Sequence, residues 1–422
     1  MKITIKKSGI EGMLKAPPSK SYTHRAIICA ALANGKSKIT NPLLCNDTEA
    51  TIKVCKMLGA EVNMRKDLII VGTEKLRTPD DVMDCGGSGT TLRFFTAISS
   101  LVPGVCVLTG NKSLRERPVG ELLNALTQLG IKAVSTRGNG LPPIAVFGGD
   151  VKGGSVKMRG DISSQFISAL LFACPKASKK TTIELTTGLQ SKPYVEITIE
   201  VLKEFGIKIS ASEGFRRFVI PSQQNFKPLE YTIRGDFSSA SFMLVAGALA
   251  GKVKVFNLEL NSRQGDRKIV QILKDMGAHV KEKENSITVE KAELKAITID
   301  ASDIPDLVPI CAVLATQAKG ITKIINAERL RFKESDRLIS ITCELKKMGA
   351  NITEKKGGLV IKGPTKLKGA DINPYRDHRI AMACAVAGLI ASGETVIKNV
   401  ECIKKSYPSF AEDIKNLGGK IK

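Results

Sequence analysis

One short junction recurs six times along this chain of 422 residues. A Leu, Met or Phe is followed by Gly, and then by a small or β-branched residue that opens an alternating stretch. The copies are Leu58-Gly59-Ala60, Leu129-Gly130-Ile131, Phe205-Gly206-Ile207, Met276-Gly277-Ala278, Met348-Gly349-Ala350 and Leu417-Gly418-Gly419. Their glycines lie 71, 76, 71, 72 and 69 residues apart. Before each junction the apolar residues have helical spacing, as in residues 270–277 (VQILKDMG). After it they alternate as a strand does, as in residues 278–290 (AHVKEKENSITVE). Glycine just past the last helical turn is the expected C-terminal cap, because it tolerates positive φ. One such junction is commonplace; six at nearly constant period identify an internal repeat.

A second pattern shares the period. Polar loops rich in Ser, Gly and Asp run into helices of small apolar residues, at 17–33, 84–100, 160–175, 235–250, 302–318 and 376–391. The third and fourth share Arg-Gly-Asp-x-Ser-Ser at 159–164 and 234–239. Runs of Ala, Cys, Ile and Leu with little charge describe helices buried on most sides. Each unit of about 70 residues therefore reads as two helices and several short strands, an α/β arrangement with parallel strands and right-handed crossovers. Six units form naturally as two domains of three. A symmetric arrangement would point six helix N-termini, with their unpaired N–H groups and positive partial charge, at a shared anion-binding region.

Charge agrees with that expectation. Lys and Arg total 64 against 41 Asp and Glu, a formal charge of +23, which implies anionic partners, whether nucleic acid, an anionic surface or small phosphorylated and carboxylated molecules, while most of the 64 read as solvated surface. Ordinary hydrophobic and charged fractions, 43% and 25%, exclude a disordered or low-complexity chain. The ten Cys form no C-x-x-C pair and read as reduced thiols. The N-terminal stretch lacks a signal-like apolar core, and Ile380–Ala391, interrupted by Gly388, is too short to span a membrane. A cytoplasmic protein without a membrane partner is the expectation.

The loops carry the chemistry. They bring Lys20, Ser21 and Arg25; a turn at 86–91 followed by Arg93; Arg115 and Arg117; Ser163, Ser164 and Gln165; and Ser191, Lys192 and Tyr194. Further on come Asp303 and Asp306; Lys333, Glu334, Asp336 and Arg337; Asp377, His378 and Arg379; and Lys405. Arginine suits planar carboxylate and phosphate groups, lysine acts as a point charge, and Ser with backbone N–H completes a phosphate shell. The mix fits two anionic small molecules. Carboxylates inside such a set need a reason, so Asp306 and Glu334 are the candidates for general base and general acid; an N-cap or a salt bridge is the alternative for each.

Other chemistries lack their residues. The glycine-rich turn is not followed by Gly-Lys-Ser/Thr, and no dinucleotide fingerprint stands at a strand–helix junction. Three His without H-x-x-x-H or C-x-x-C argue against a dedicated transition-metal site. Cys85 reads as a packed thiol rather than a nucleophile. The aromatic platforms of single-strand nucleic-acid binding are missing, with no Trp and five Tyr.

Nine ordered motifs, PSKSYTHRA, CGGSGTTLR, RERPVG, SSQF, QSKPY, IPDL, RFKESDRL, RDHRIAMA and KSYPSF, resemble the 5-enolpyruvylshikimate-3-phosphate synthase family of enolpyruvyl transferases, from about Lys20 to Phe410. The resemblance implies two similar domains, each of three βαβαββ-type units in an inside-out α/β barrel, with the active site in the interdomain cleft. The N-terminal domain would run from residue 16 to 230, and residues 1–15 would join 231–422 in the C-terminal domain. The implied reaction moves the enolpyruvyl group of phosphoenolpyruvate to the 5-hydroxyl of shikimate 3-phosphate without a cofactor, in a monomer that binds no nucleic acid.

By the same resemblance, Lys20, Ser21, Arg25, Ser163, Ser164, Gln165, Ser191, Tyr194, Asp306 and Lys333 would hold shikimate 3-phosphate. Lys20, Gly89, Arg117, Gln165, Arg337, Arg379 and Lys405 would hold phosphoenolpyruvate. Asp306 would accept the 5-hydroxyl proton and Glu334 would serve the methylene carbon, with Lys20 a rival for either proton role. Arg93 and His378 would support or steer. The chain departs from the family in carrying Gly87 where Asn is usual and Arg329 where many members have Asn or His. Gly89 is retained, and in the family it leaves room for the inhibitor glyphosate. Two rivals remain: the sister enzymes that act on a UDP-amino sugar, which carry Lys-Asn where this chain has Lys20-Ser21, and a basic RNA-binding module.

Overall fold

All six junction glycines take positive φ, between +81° and +112°, a region open to glycine and costly for other residues. Each ends a helix and reverses the chain into a strand. Thus the helix Lys268–Asp275 gives way to the strand His279–Lys283, and Arg337–Lys347 to Asn351–Lys355. The computed structural model describes every residue except Glu74.

The second unit shows the repeat in full. Strand Met83–Asp84 leads through helix Gly89–Ile98 to strand Gly104–Thr109, which lies parallel to it. Helix Gly120–Gln128 follows, and then the hairpin Lys132–Ser135 and Ile144–Gly148, whose second strand pairs antiparallel with Gly104–Thr109. This βαβαββ order recurs in six sheets of the described residues, and one sheet has an added short strand, Thr298–Asp300.

Two compact bodies result, Lys20–Ile233 and Met1–Ser19 with Arg234–Lys422, each with a hydrophobic core of its own. The chain's start completes the second body. Lys2–Lys6 pairs antiparallel with both Glu394–Lys398 and Lys420–Ile421, taking the hairpin's place in the last unit. Ile10–Lys15 runs parallel to Gly251–Phe256 as the edge strand of the fourth.

The crossovers lie three to four residues beyond the expected ones at residues 15 and 231. Strand Glu230–Thr232 runs parallel to Gly35–Thr40 and Ile233 N–H donates to Thr40 O, so 231–233 stay with the first body. Ala16 N–H donates to Phe256 O and Ser19 N–H to Arg234 O, so 16–19 stay with the second. Strand pairing, invisible in such short segments, decides the boundary.

The helices after the polar loops are core elements. Every residue of Val308–Ala315 and His378–Gly388 is buried, as is Phe237–Leu249. Such helices cannot shift without disturbing close packing, so their first turns are rigid platforms for loop side chains. No helix among the described residues is long and apolar enough to cross a membrane.

Candidate active site

In the body formed by residues 20–233, loop side chains are held by helix starts. Ser88 caps the helix Gly89–Ile98 by accepting from Thr91 N–H at 3.2 Å, and Ser163 caps Ser164–Ala173 by accepting from Gln165 N–H at 3.3 Å. Gln165 is fixed further: its Oε1 accepts from Arg93 at 2.6 Å, and its Nε2 donates to Thr90 Oγ1 at 2.9 Å. A Cβ on Gly89 would lie 3.3 Å from an Arg117 guanidinium nitrogen and 3.7 Å from one of Arg93. Gly89, Arg93, Arg117 and Gln165 therefore form one neighbourhood in which the helix N-terminus and two guanidinium groups converge.

Lys20 opens the first helix, Lys20–Leu32, and pairs with Asp47 at 3.0 Å. Arg25, one turn on, is buried, and each of its three nitrogens donates: to Thr198 Oγ1 at 2.8 Å, Ser21 O at 2.9 Å and Tyr194 O at 2.9 Å. It thereby ties the two segments carrying Ser21 and Tyr194 to each other. Ser191 precedes the helix Lys192–Glu204 in the left-handed region, at φ +54°. Burial lowers the Arg25 pKa to about 10.

In the other body, Arg337 is the hub. It is 1% exposed and begins the helix Arg337–Lys347, which Asp336 caps with two bonds of 3.1 Å. Its guanidinium meets three carboxylates: Asp306 at 2.7 Å, Glu334 at 2.7 Å and Asp377 at 2.8 Å. Arg379 reaches the second oxygen of Asp306 at 2.9 Å, and Lys333 Nζ lies 3.8 Å from Asp306. Lys405 pairs with Glu334 at 3.3 Å. Asp377 is fully buried and also accepts from Arg379 N–H at 2.9 Å and Ser335 Oγ at 3.2 Å.

These charges set one another. Burial alone would raise the Asp306 pKa, but Arg379, Lys333 and Arg337 outweigh it and hold the carboxyl well below the usual carboxylate range. Burial lowers Lys333 to about 8; Arg337 and Arg329 push the same way, against Asp306 and Glu334. The cluster thus sets an ionised carboxylate beside an ammonium whose hold on its proton is weakened, among two guanidinium groups. Among the described residues, no group of His, Cys, Asp and Glu could hold a metal ion.

The family model of EPSP synthase (3-phosphoshikimate 1-carboxyvinyltransferase) matches residues 5–414. The chain belongs to this family. It is 48% identical to the 3-phosphoshikimate 1-carboxyvinyltransferase of Methanocaldococcus jannaschii over 99% of this chain and 98% of that protein. It is equally identical to that of Methanococcoides burtonii, over 100% and 99%. The EPSP synthase of Acinetobacter baumannii superposes with a TM-score of 0.85 at 26% identity, covering 100% of this chain and 99% of that one. The enolpyruvyl transferase NikO of Streptomyces tendae has the same fold, with a TM-score of 0.82 at 19% identity, covering 100% and 98%.

As a member of the EPSP synthase family the chain is an enzyme, and the site residues expected from its sequence are divided between the two bodies. Lys20, Ser21, Arg25, Gly89, Arg93, Arg117, Ser163, Ser164, Gln165, Ser191 and Tyr194 lie in the body of residues 20–233, and Asp306, Lys333, Glu334, Arg337, Arg379 and Lys405 in the other. Some loop residues are structural instead. Arg115 donates to Gly110 O at 2.8 Å, Asp336 caps a helix and pairs with Arg331 at 2.9 Å, and Lys192 lies over the Phe215 ring. His378 is buried in the first turn of its helix, 3.7 Å from Asp377. Burial raises the Cys85 thiol pKa, which suits a packed thiol.

Three residues of evident importance went unassigned in the sequence. Asp47 partners Lys20, Glu200 accepts from Tyr22 at 2.6 Å, and Asp377 braces Arg337. Asp377 had a signal, an acidic residue directly before an apolar helix in a loop of the repeat. Asp47 and Glu200 had none, since both sit on helices where acids are ordinary.

Proposed function

We propose that the protein transfers the enolpyruvyl group of phosphoenolpyruvate to the 5-hydroxyl of shikimate 3-phosphate and releases inorganic phosphate. The observation that carries this reading is the carboxylate pair, Asp306 and Glu334, set on one buried arginine among three further cations. In the addition, the 5-oxygen bonds to C2 of phosphoenolpyruvate as its proton leaves, and C3 gains a proton to become a methyl group. In the elimination, the methyl group loses a proton and the C2–O bond to phosphate breaks.

In this reading Asp306 takes the hydroxyl proton and Glu334 serves C3, with Lys20 able to stand in for either. Arg117, Arg337, Arg379 and Lys405 neutralise the phosphate and carboxylate of phosphoenolpyruvate, and Gly89 leaves space beside Arg117 for them. Ser21, Ser163, Ser164, Ser191, Tyr194, Gln165 and Lys333 bind shikimate 3-phosphate, and Arg25 also acts by holding Ser21 and Tyr194. Fixed cations of this kind stabilise charge without reorganising during the reaction. The enzyme works as a cytoplasmic monomer on small molecules, apart from membranes and nucleic acid.

The test is phosphate release from the purified protein. Release requires both phosphoenolpyruvate and shikimate 3-phosphate, and a UDP-amino sugar cannot replace the latter. Release with the sugar and none with shikimate 3-phosphate overturns the assignment. Glyphosate in high excess over phosphoenolpyruvate slows the reaction, and an unchanged rate would defeat the placing of phosphoenolpyruvate beside Gly89.

A further inference from the structure

Glu344 is a fully buried carboxylate outside the set described so far. It lies seven residues, two helical turns, after Arg337 on the same helix, and so on the same side. Its Oε1 accepts from the Tyr375 hydroxyl at 2.9 Å and its Oε2 from Asn373 N–H at 3.1 Å. Lys347 Nζ donates to both oxygens at 2.8 Å, which balances the charge. A buried carboxylate so fully satisfied is built in, and what it holds is the turn leading into Asp377.

That turn needs holding. Tyr375 and Arg376, neither of them glycine, stand at φ +53° and +57°, two consecutive residues in the left-handed region. Inside the turn, Asn373 Oδ1 accepts from Tyr375 N–H at 3.0 Å and Pro374 O from Asp377 N–H at 2.8 Å. The chain then reaches Asp377, which fixes the Arg337 guanidinium at 2.8 Å and the Arg379 N–H at 2.9 Å. Without the Glu344 staple the turn would relax toward ordinary backbone angles and carry Asp377 with it.

We propose that Glu344 is a positioning residue for phosphoenolpyruvate. It staples the strained Asn373–Asp377 turn to the Arg337 helix, so that Asp377 aligns Arg337 and Arg379. The inference rests on the assignment of those arginines to phosphoenolpyruvate. The Tyr375 hydroxyl is the near end of the device: burial first, and then its bond to Glu344, raise its pKa to about 12.

The experiment is steady-state kinetics with each substrate varied in turn, on wild type, Glu344→Gln and Tyr375→Phe, alongside thermal melting. Tyr375 is 37% exposed, so loss of its hydroxyl leaves the fold intact and keeps the test open if Glu344→Gln folds poorly. The expected result is a KM for phosphoenolpyruvate raised roughly three- to tenfold in both variants, the size of one ordinary net hydrogen bond. The KM for shikimate 3-phosphate and kcat should stay within about twofold. An unchanged KM for phosphoenolpyruvate in Tyr375→Phe overturns the proposal. So does a parallel rise in both KM values, which would mean general loosening. If wild type itself releases no phosphate from the two substrates, the functional assignment fails instead, and the two failures are distinct.

Discussion

Replacing Asp306 by Asn separates the proton-acceptor role proposed for it from its role as counter-ion. The amide keeps the shape and one acceptor oxygen but cannot carry the 5-hydroxyl proton. Loss of a general base costs about 10²–10⁴ in rate, or roughly 3–5 kcal/mol at 1.36 kcal/mol per decade. The counter-ion role points the other way. Asp306 pairs with Arg337 at 2.7 Å, Arg379 at 2.9 Å and Lys333 at 3.8 Å, the cations that the proposed function assigns to the substrates' anionic groups. One unit-charge contact at 4 Å is worth about 4 kcal/mol at an effective dielectric constant of 20. Desolvation and the retained amide bond offset most of that, leaving about 1–2 kcal/mol, or roughly five- to thirtyfold tighter phosphoenolpyruvate binding. Single-turnover phosphate release measures the first effect and titration calorimetry with phosphoenolpyruvate the second. Turnover within threefold of wild type would remove Asp306 from proton transfer. Weaker phosphoenolpyruvate binding would show that Asp306 holds the arginines in place rather than competing for them.

Two further perturbations test the electrostatics. Asp266 is buried, with one oxygen bonded to Ser238 Oγ and the other without a hydrogen-bond partner. Burial first, then the charge of Asp306, raise its pKa to about 7. The folded protein therefore holds a proton that the unfolded chain has lost between about pH 4 and pH 7, and stability falls as pH rises through that window. In Asp266→Asn that fall is absent, so the variant's Tm relative to wild type should climb between pH 5 and pH 8; a constant difference would contradict the buried-acid argument. Lys333, lowered to about 8 chiefly by burial, is also pushed down by Arg329. Its charge is complete below that pKa and lost above it, so kcat/KM for shikimate 3-phosphate should decline above about pH 8. In Arg329→Asn the decline should begin at higher pH, and an unmoved profile would show that Arg329 does not tune Lys333.

The repeat made the fold legible because one physical need, a residue at positive φ ending a helix, fell on glycine six times. The loop residues were legible for a related reason: basic and hydroxyl side chains recurred at one place in each unit. What stayed hidden were the partners. Lys20 and Asp47 are 27 residues apart, Arg337 and Asp377 are 40, and Tyr22 and Glu200 are 178. No periodicity links such pairs, and an acid on a helix reads as an ordinary surface charge until the fold buries it. Glu344 is the extreme case, since its sequence setting (CELKK) gives no hint that it is fully enclosed. The crossovers were misplaced by a few residues for the same reason. Nothing in Tyr231–Ile233 says which sheet it will join.

The carboxylates explain how so cationic a site is stable before substrates arrive. Arg337 is almost wholly buried, and a lone buried guanidinium would carry a desolvation cost of several kcal/mol. Three carboxylates meet it, but they differ. Asp377 is fully enclosed, with a backbone N–H and a serine hydroxyl as further donors, and no incoming anion can displace it. Asp306 and Glu334 keep 17% and 14% of their side chains exposed. They can therefore exchange their cations with a substrate's phosphate or carboxylate. While Arg337, Arg379 and Lys333 hold it well below the usual carboxylate range, Asp306 is a weak base toward a hydroxyl proton. Once substrate anions share those cations, its proton affinity rises toward what the reaction needs. In the proposed mechanism the same residues thus neutralise the resting site and gain basicity only when it is loaded, which ties proton transfer to the presence of substrate.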